Sequence, residues 1–305
     1  MNKILITGVN GFVGNYLYNQ LSLFNDVYGL DLKNNTAIKK MIVCDITQII
    51  PLNAKLQNLE FDIVIHCAAL AHNDYNSIKS EDFFSVNVTG TKNLILALST
   101  KKIHQFYFLS TISVYGEYGF SNFINENFSI NPKTDYSKSK AEAEKLVSTS
   151  NFTNYYILRM PVIHSQSFLK DIYKRIITFK VLGVYLIFKP GNGKQINSFC
   201  YIKNLNYTIT KLIETKDIAS NIFNIADSYN YTTNELINYY LLGKKKTLII
   251  TIPKIIVYFL IFLYKNKVND YKSAYWKLCM NNIYSTDKIK KLGFKLDHSI
   301  FLNKP

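Results

Sequence analysis

The sequence predicts an α/β protein in which a doubly wound parallel sheet is followed by a smaller C-terminal lobe. The first observation is that short apolar segments alternate with segments of helical length through the first 160 residues. Strands separated by helices in this way form βαβ units, which build a parallel sheet with helices on both faces. The second observation is a glycine-rich turn, residues 7–14, directly after the first apolar segment.

Six strands and three helices can be assigned in this part of the chain from the pattern of apolar residues. The predicted strands are the apolar runs 3–6, 27–30, 41–44, 62–67, 105–109 and 155–158. The predicted helices, with apolar residues three and four positions apart, are 12–24, 80–99 and 136–148. We therefore expect residues 1–160 to form a nucleotide-binding domain.

The pattern loosens after Arg159, and we expect residues 161–305 to form a smaller substrate-binding lobe. Its predicted elements are a helix over 167–182, a loop over 189–194, strands near 199–202 and at 221–225, and further helices. The boundary near residue 160 is soft, because a later strand could return to the sheet. A chain of 305 residues is long enough for such a two-lobed organisation.

Composition excludes a disordered chain, since 48% of the residues are apolar. The net charge of +15 has two interpretations. It could attract an anionic partner such as a phosphorylated substrate or a membrane surface. It could equally reflect an A/T-rich genome, because Lys, Asn, Ile, Tyr and Phe are over-used together. No RNA-binding motif accompanies the abundant aromatic residues, so we expect no nucleic-acid partner.

The four cysteines, Cys44, Cys67, Cys200 and Cys279, are scattered and form no CxxC pair. No histidine cluster with metal-ligand spacing accompanies them, so we expect reduced thiols and no metal site. The apolar run after Lys3 covers only three residues before the glycine-rich turn. This is not the layout of a signal peptide, and we expect a cytoplasmic protein.

The turn TGVNGFVG, residues 7–14, lies between a predicted strand and a predicted helix. Glycines there let the chain turn sharply, let backbone N–H groups approach a pyrophosphate, and let the helix pack on the sheet. The second strand leads to Asp31, near the offset expected for the acid that binds the adenosine ribose. A carboxylate at Asp31 favours NAD over NADP, although the nearby Lys33 weakens that preference. The sequence therefore predicts a Rossmann-like NAD site.

A tyrosine and a lysine four residues apart, Tyr136 and Lys140, share one face of a predicted helix. An adjacent ammonium group favours the phenolate and makes a tyrosine a better acid–base catalyst near neutral pH. The preceding strand ends in the hydroxyl-rich run STISVYG, residues 110–116. These hydroxyls lie at the carboxyl edge of the sheet, where such folds bind ligands.

Together these motifs resemble the extended short-chain dehydrogenase/reductase family, the NAD-dependent epimerase/dehydratase group, over essentially the whole chain. The resemblance includes the glycine-rich start, Asp31, 44–46 (CDI), 66–69 (HCAA), 86–91 (VNVTGT), 110–116 and 136–140. It implies an NAD-dependent enzyme that acts on a nucleotide sugar.

The resemblance also assigns roles to individual residues. Thr111 would polarise the reacting oxygen, Tyr136 would be the acid–base residue, and Lys140 would hold the nicotinamide ribose and tune Tyr136. Asp45 and Ile46 would flank the adenine, and Asn87 would organise the active-site side of its helix. The implied cofactor contacts are Gly8, Asn10, Gly11, Phe12, Val13, Gly14, Asp31, Asp45, Ile46, Ala68, Ala69, Asn87, Tyr136, Lys140 and Pro161.

The C-terminal half resembles UDP-hexose and UDP-N-acetylhexosamine 4-epimerases and related 4-keto reductases of surface-polysaccharide synthesis. The matching segments are 158–161 (LRMP), 223–227 (FNIAD), 286–289 (TDKI) and 292–294 (LGF). Two departures stand out. The segment 163–165 is IHS where the branch has Val-Tyr-Gly, and 196–197 is Ile-Asn where an arginine would clamp the pyrophosphate. Lys189, Lys194 and Lys203 are the nearby cations, but a lysine cannot reproduce bidentate arginine geometry.

We expect a nucleotide-sugar 4-epimerase that oxidises carbon 4 transiently. One alternative is an NAD(P)H-dependent reductase of a UDP-4-keto-6-deoxy-hexosamine. Another is a catalytically degenerate relative that binds dinucleotide and serves as a regulatory protein, which the missing arginine motivates. A catalytic role for His164 is less favoured than packing.

The apolar run 255–264, with lysines on both sides, is too short to span a bilayer. It has three interpretations: a buried helix of the substrate lobe, a dimer surface, or a segment that rests on the inner face of the membrane. The second would make the protein a homodimer, and the third a peripheral membrane protein on the cytoplasmic face.

Overall fold

The computed structural model describes residues 1–71, 79–116, 123–215, 218–244, 246–263, 271–297 and 299. The chain divides into two compact units. The first comprises Met1–Gly116, Ser129–Arg159 and Asn206–Phe223, and the second comprises Glu117–Phe128, Met160–Leu205 and Asn224–Pro305.

The strands and helices are numbered here in chain order. The strands are β1 Lys3–Thr7, β2 Asp26–Asp31, β3 Met41–Val43, β4 Ile63–His66, β5 Gln105–Thr111, β6 Asn154–Met160, β7 Ile163–His164, β8 Ile177–Val181, β9 Val184–Pro190, β10 Ile196–Asn197, β11 Cys200–Tyr201, β12 Asn221–Asn224, β13 Tyr231–Thr232 and β14 Thr247–Ile252. The helices are α1 Phe12–Leu21, α2 Ile49–Leu56, α3 Ser80–Phe84, α4 Gly90–Leu98, α5 Asp135–Ser148, α6 Lys170–Tyr173, α7 Ile202–Glu214, α8 Thr233–Tyr240, α9 Lys254–Leu263, α10 Tyr271–Cys279 and α11 Asp287–Lys290. A π-helical turn, Ser85–Thr89, joins α3 to α4, and a 3₁₀ turn, Ile112–Tyr115, follows β5.

A seven-stranded sheet in the order β12-β6-β5-β4-β1-β2-β3 carries the first unit. Strand β1 pairs in parallel with both β2 and β4, and the chain winds outwards from it in both directions. Leu5, Val64 and Phe106 are fully buried in its core. The predicted α/β fold with a doubly wound parallel sheet is confirmed.

The second unit contains a three-stranded sheet in the order β14-β9-β8 and two short strand pairs, β10 with β13 and β7 with β11. Its core includes Ile187, Phe199 and Leu236. None of the helices in the described part of the chain is both long enough and apolar enough to cross a membrane.

The six strands predicted in the first 160 residues are all present. In the second lobe, the helix predicted over 167–182 is wrong. Only Lys170–Tyr173 is helical within residues 167–182, and β8 and β9 form an antiparallel hairpin instead. The hairpin turns at Leu182 and Gly183, which both have positive φ. The hairpin contains many β-branched and aromatic residues, which favour a strand over a helix. The prediction was wrong because it followed the helical spacing of the apolar residues and gave no weight to this strand preference.

A buried ion pair links α5 to β6. The Arg159 guanidinium donates to Glu144 through Nη2 (2.6 Å) and Nε (3.0 Å), and both side chains are about 95% buried. Ser110 on β5 also donates to the Glu144 carboxylate, at 2.5 Å. Two charges removed from water are tolerated when they are paired and hydrogen-bonded in this way.

We expect Arg159→Met to lower the free energy of unfolding by about 3–5 kcal/mol, because it leaves the Glu144 carboxylate buried without its cation. Urea unfolding followed by circular dichroism measures the change. Lys211→Met is the matched control, since the Lys211–Glu214 pair is solvent-exposed and such pairs contribute about 0–1 kcal/mol. Equal effects of the two substitutions would contradict the expectation.

Candidate active site and nucleotide groove

The glycine-rich loop after β1 depends on close backbone contacts. Gly8 has φ +68°, and a Cβ there would lie 2.7 Å from the Ala68 backbone. A Cβ on Gly14 would lie 2.2 Å from the Gly8 carbonyl oxygen. Helix α1 begins just after Gly11, with Phe12 and Val13 in its first turn. Its N-terminal N–H groups are therefore available to an anion, as the sequence predicts.

A groove of about 570 Å³ lies beside this loop in the first unit. It brings together eight of the predicted cofactor residues: Gly8, Asn10, Gly11, Asp31, Asp45, Ile46, Ala68 and Ala69. Residues for which the sequence suggested no contact complete its lining: Leu30, Leu32, Cys44, Thr47, Cys67, Leu70, Ser85 and Val86. Phe12, Val13 and Gly14, in the first turn of α1, are not part of the lining.

Asp31 at the end of β2 is held by the glycine-rich loop. The backbone N–H of Asn10 donates to its Oδ2 at 2.9 Å, and the N–H of Leu32 donates to its Oδ1 at 2.8 Å. The Asn10 side chain in turn donates to the carbonyl of Lys33 (2.8 Å). The carboxylate oxygens keep further acceptor capacity, which fits the hydroxyls of an adenosine ribose.

The far wall of the groove is fixed by α4. Asn93 donates through Nδ2 to the carbonyls of Ile46 (3.0 Å) and Thr47 (2.9 Å). Gly90 lies so close to this wall that a Cβ would be 2.6 Å from Ile46 Cδ1. The Asp45 carboxylate accepts the Thr47 N–H at 2.8 Å. Since the lining combines an anion-binding loop, a ribose acceptor and a fixed apolar wall, it fits a dinucleotide.

A buried chain of hydrogen bonds runs from β1 to the π-helical turn. Thr91 Oγ1 donates to the Asn87 carbonyl (2.6 Å), so it must accept from His66 Nε2 (2.9 Å). His66 Nδ1 therefore accepts from Thr7 Oγ1 (2.6 Å), which itself accepts the Ala68 N–H (3.2 Å). This order needs a neutral imidazole, and burial together with the nearby Lys140 lowers the pKa of His66 to about 3.

Asn87 extends this chain to α5. Its Oδ1 accepts the Leu70 N–H (2.7 Å), and its Nδ2 donates to the Leu70 carbonyl (3.1 Å) and to Ser139 Oγ (2.9 Å). Ser139 then donates to the Tyr136 carbonyl at 2.8 Å. The buried amide of Asn87 thus joins the loop after β4 to the helix that carries Tyr136.

Lys140, one turn after Tyr136, is only 2% exposed. Its Nζ lies 3.9 Å from the ring centroid of Phe108 on β5. Burial lowers the pKa of Lys140 to about 7, because a charged ammonium loses its hydration there, and the Glu144 carboxylate opposes this shift. The lysine is therefore close to the balance between its charged and neutral forms at neutral pH.

Tyr136 and Thr111 lie on neighbouring elements of the first unit. Tyr136 is half-buried in the first turn of α5, with its ring edge-to-face against Phe83 (centroids 6.2 Å apart). Thr111 ends β5, and its Oγ1 accepts the Ser113 N–H at 3.2 Å. That bond orients the hydroxyl and leaves its proton to be donated to another oxygen.

Pro161 and His164 belong to the second unit. Pro161 directly follows β6. His164 is fully buried; its Nε2 lies 3.2 Å from Asp227 Oδ2, and its ring stacks on Tyr201 (centroids 5.2 Å apart). This environment agrees with the favoured interpretation of a packing residue. Where an arginine was expected, Asn197 is buried and accepts a hydrogen bond from Asn282 Nδ2 (3.2 Å).

The residues that sequence analysis missed are the polar supports of the site. His66, Thr91 and Glu144 received no role, although the first two lie inside segments that carry the family resemblance. A signal was present at His66, since a histidine that ends a fully buried strand must satisfy both ring nitrogens.

Comparison with known proteins agrees with this geometry. The model of the NAD dependent epimerase/dehydratase family matches residues 4–226. UDP-glucose 4-epimerase of Vibrio cholerae is 28% identical over 248 residues, which are 77% of this chain and 74% of that protein. N-acetyl-α-D-glucosaminyl-diphospho-ditrans,octacis-undecaprenol 4-epimerase of Escherichia coli O157:H7 is 25% identical over 249 residues, covering 77% of this chain and 70% of the relative.

Among solved structures, the UDP-glucose 4-epimerase of Thermus thermophilus in complex with NAD has the same fold. Its TM-score is 0.73 at 18% identity, with 98% of this chain and 95% of that chain covered. The family model spans well over half of the sequence and includes the glycine-rich loop, the Asn87 turn and the Tyr136 helix. The chain therefore belongs to the NAD-dependent epimerase/dehydratase family.

Proposed function

We propose that this protein is a nucleotide-sugar 4-epimerase, acting on a UDP-hexose or UDP-N-acetylhexosamine for surface-polysaccharide synthesis. The observation that carries the proposal is the intact set of Thr111, Tyr136 and Lys140, with Tyr136 and Lys140 one turn apart on α5. The names of the Vibrio cholerae and Escherichia coli relatives support carbon 4 as the reacting centre. Other relatives of similar identity are named as dTDP-glucose 4,6-dehydratases.

In this proposal, oxidation of the sugar alcohol removes a proton from oxygen 4 and a hydride from carbon 4. Tyr136 takes the proton, and the Thr111 hydroxyl donates to the same oxygen as its negative charge develops. When bound in the groove, NAD would supply the hydride acceptor for the oxidation and, once reduced, the hydride donor for the reverse step. Tyr136 then gives the proton back to oxygen 4. Because the hydride and the proton both return to the sugar, the overall reaction is redox-neutral, and it inverts carbon 4 when the keto sugar turns over between the two steps.

Lys140 is proposed to set the acidity of Tyr136 and to hold the nicotinamide ribose. An ammonium group in a poorly solvated site stabilises a nearby phenolate strongly, because little water screens the attraction. Gly8, Asn10 and Gly11 would hold the pyrophosphate, and Asp31 would hold the adenosine ribose.

The dehydratase reaction in the family's name requires more than these residues. Loss of water from a sugar needs a base for the carbon-bound hydrogen and an acid for the departing hydroxyl, in addition to the groups at oxygen 4. The proposed catalytic set of Thr111, Tyr136 and Lys140 contains no carboxylate or imidazole for these two tasks. We therefore favour the epimerase over the dehydratase.

The proposed function is tested by incubating the purified protein with a panel of UDP-hexoses and UDP-N-acetylhexosamines and no added reductant. We expect the 4-epimer of at least one member, detected by chromatography and NMR. An undecaprenol-linked N-acetylglucosamine diphosphate is a further arm, because one relative is named for that substrate.

No epimer in any arm, with stoichiometric NADH consumption on a UDP-4-keto-6-deoxy sugar, would instead establish the 4-keto reductase. Dinucleotide binding without turnover in any arm would establish the regulatory alternative.

Tyr136→Phe is expected to lower turnover by about 10²–10⁴-fold, because it deletes only the transferable proton. NAD affinity, measured by calorimetry, should stay nearly unchanged. Tyr155→Phe is the control, a partly buried tyrosine packed against the core of the first unit. A Tyr136→Phe variant that retains more than about a tenth of wild-type turnover would remove the acid–base assignment.

Lys140→Met is expected to impair both turnover and NAD affinity, and to change the pH dependence of stability. The pKa of Lys140 is about 7 in the native protein and about 10.5 in an unfolded chain. Between these values the unfolded chain binds more protons, so the free energy of unfolding of the wild type should rise with pH.

Urea unfolding without cofactor at pH 7 and pH 9 measures this effect. The wild type should gain stability relative to Lys140→Met over that interval, since methionine does not titrate. Parallel pH dependences of the two proteins would argue against a lysine with a lowered pKa. Unchanged NAD affinity in the variant would argue against the ribose contact.

A further inference from the structure

A large apolar surface on the second unit has no partner among the described residues. It is formed by α9, by the edge strand β14 and by the β8–β9 hairpin, and we call it the α9–β14 surface. Its most exposed members on α9 and β14 include Leu248, Ile249, Ile255, Ile256, Phe259 and Leu263. In α9 only Val257 is buried, so the interpretation of this segment as a buried helix is wrong. Tyr264, Lys265 and Lys267 of the predicted run lie outside the described residues.

This surface is continuous and includes a groove. Side chains of α9 and of all three strands line a cavity of about 490 Å³, and every lining residue is apolar. Edge strand β14 exposes three consecutive residues, Leu248, Ile249 and Ile250, so both of its faces meet solvent. Contiguous apolar patches of this kind are rare on monomeric proteins unless they bind something.

The hairpin tip adds an apolar projection. Leu182 is 98% exposed and has φ +47°, in the left-handed region, followed by Gly183 with φ +80°. A turn with two positive φ values favours Asn-Gly, and a leucine there gains nothing from the fold. An apolar side chain at an exposed, conformationally unfavourable tip is explained if it is buried in a partner.

Basic residues surround the surface. Lys180 Nζ and Lys244 Nζ lie 5.3 Å and 5.5 Å from the ring centroid of Tyr185, and the Tyr185 N–H donates to the Lys246 carbonyl. Three lysines thus gather at the hairpin end of the sheet. Lys254 begins α9 at the other end of β14. None of these four takes part in the ion pairs seen within the described ranges.

Acidic residues are absent from the two stretches of sequence that build this surface, although Lys174 and Lys211, near the ends of the first stretch, pair with Asp171 and Glu214 just outside it. Residues 172–213 contain seven Lys or Arg and no Asp or Glu, and residues 236–269 contain six Lys and no Asp or Glu. Both stretches contribute strands or helices to the α9–β14 surface. The partner that complements it is therefore apolar in its interior and anionic at its edge.

We propose that the α9–β14 surface docks the protein on a lipid bilayer that contains anionic headgroups. The apolar side chains of α9, β14 and Leu182 enter the boundary of the acyl chains. The surrounding lysines meet the headgroups, whose negative surface potential attracts basic side chains. Tyr185 and Tyr258 suit the interface, where an aromatic ring can be apolar at its body and hydrated at its hydroxyl.

A second copy of the chain fits the same surface less well. A two-fold dimer would place the same basic-edged patch on both sides of the interface, so the lysines of both copies would gather around one apolar contact. Like charges at an interface oppose association, whereas an anionic bilayer attracts every one of them.

The test is co-flotation of the purified full chain with vesicles of phosphatidylcholine alone or with 30% phosphatidylglycerol, at about 0.05 M and 0.5 M NaCl. We expect flotation with the anionic vesicles, weaker at the higher salt because screening shortens the attraction. The double variant Phe259→Asp with Leu263→Asp should lower the partition coefficient by at least about tenfold, because it removes two exposed apolar side chains from the surface that enters the lipid.

Phe24→Asp is the matched control, because Phe24 is an exposed apolar residue of the first unit. It should float like the wild type. Thermal unfolding of each variant shows whether its fold is intact. Absence of protein from the lipid fraction at both salts would overturn the proposal. So would equal flotation of the double variant and the wild type.

A dimer is distinguished by two further measurements. Sedimentation without lipid would show a concentration-dependent dimer, abolished by the double variant, if a second copy covers the surface. A fluorophore on Leu182→Cys, placed in a Cys67→Ser background because Cys67 is half-buried, reports the environment of the hairpin tip, since Cys44, Cys200 and Cys279 are buried. Its emission should shift to the blue with anionic vesicles and stay unchanged for the same label on Phe24→Cys. A blue shift without lipid that grows with protein concentration would favour the dimer.

Discussion

The candidate active site depends on the buried hydrogen-bond chain that begins at Thr7 and ends at Asn87. A single assignment of donors and acceptors satisfies all the side chains of this hydrogen-bond chain, and that assignment fixes the tautomer of His66. Loss of any one side chain from this chain leaves its hydrogen-bond partners unsatisfied. Such a loss is costly, because these polar groups are buried and cannot pair with water instead. The chain thereby holds the first strand, the fourth strand and the π-helical turn in a single relative position, against which α5 is placed.

Helix α5 shows how a polar helix can be buried. Its inward face presents Tyr136, Ser139, Lys140 and Glu144, which follow the i, i+3, i+4, i+8 spacing of one helix face. Ser139 binds Asn87, Lys140 lies over Phe108, and Glu144 holds Arg159, so each polar group has a different partner. Successive turns of one helix thus carry the proposed acid–base residue Tyr136, the positioning contact of Ser139 and the stabilising ion pair of Glu144. The turn that carries Tyr136 cannot shift without disturbing the other two contacts.

Much of this arrangement follows from sequence, because apolar runs and glycine spacing report directly on buried strands and on the loop at Gly8. The predicted helix 80–99 is less simple, since a π-helical turn at Ser85–Thr89 interrupts it and the buried Asn87 lies within that turn. Helix α2 was missed because Pro51 lies inside it, although a proline is tolerated in a first turn. Long-range hydrogen bonds such as Asn87 to Ser139 span 52 residues, and no local pattern predicts them.

The thiols that line the nucleotide groove have a consequence for redox chemistry. Burial raises the pKa of Cys67 to about 12, and it also raises the pKa of Cys44. At neutral pH both side chains are therefore held as thiols, whereas the thiolate is the form that reacts with peroxides and disulfides. The two sulfur atoms in the wall of the candidate groove thus react more slowly with oxidants than a cysteine of ordinary pKa would.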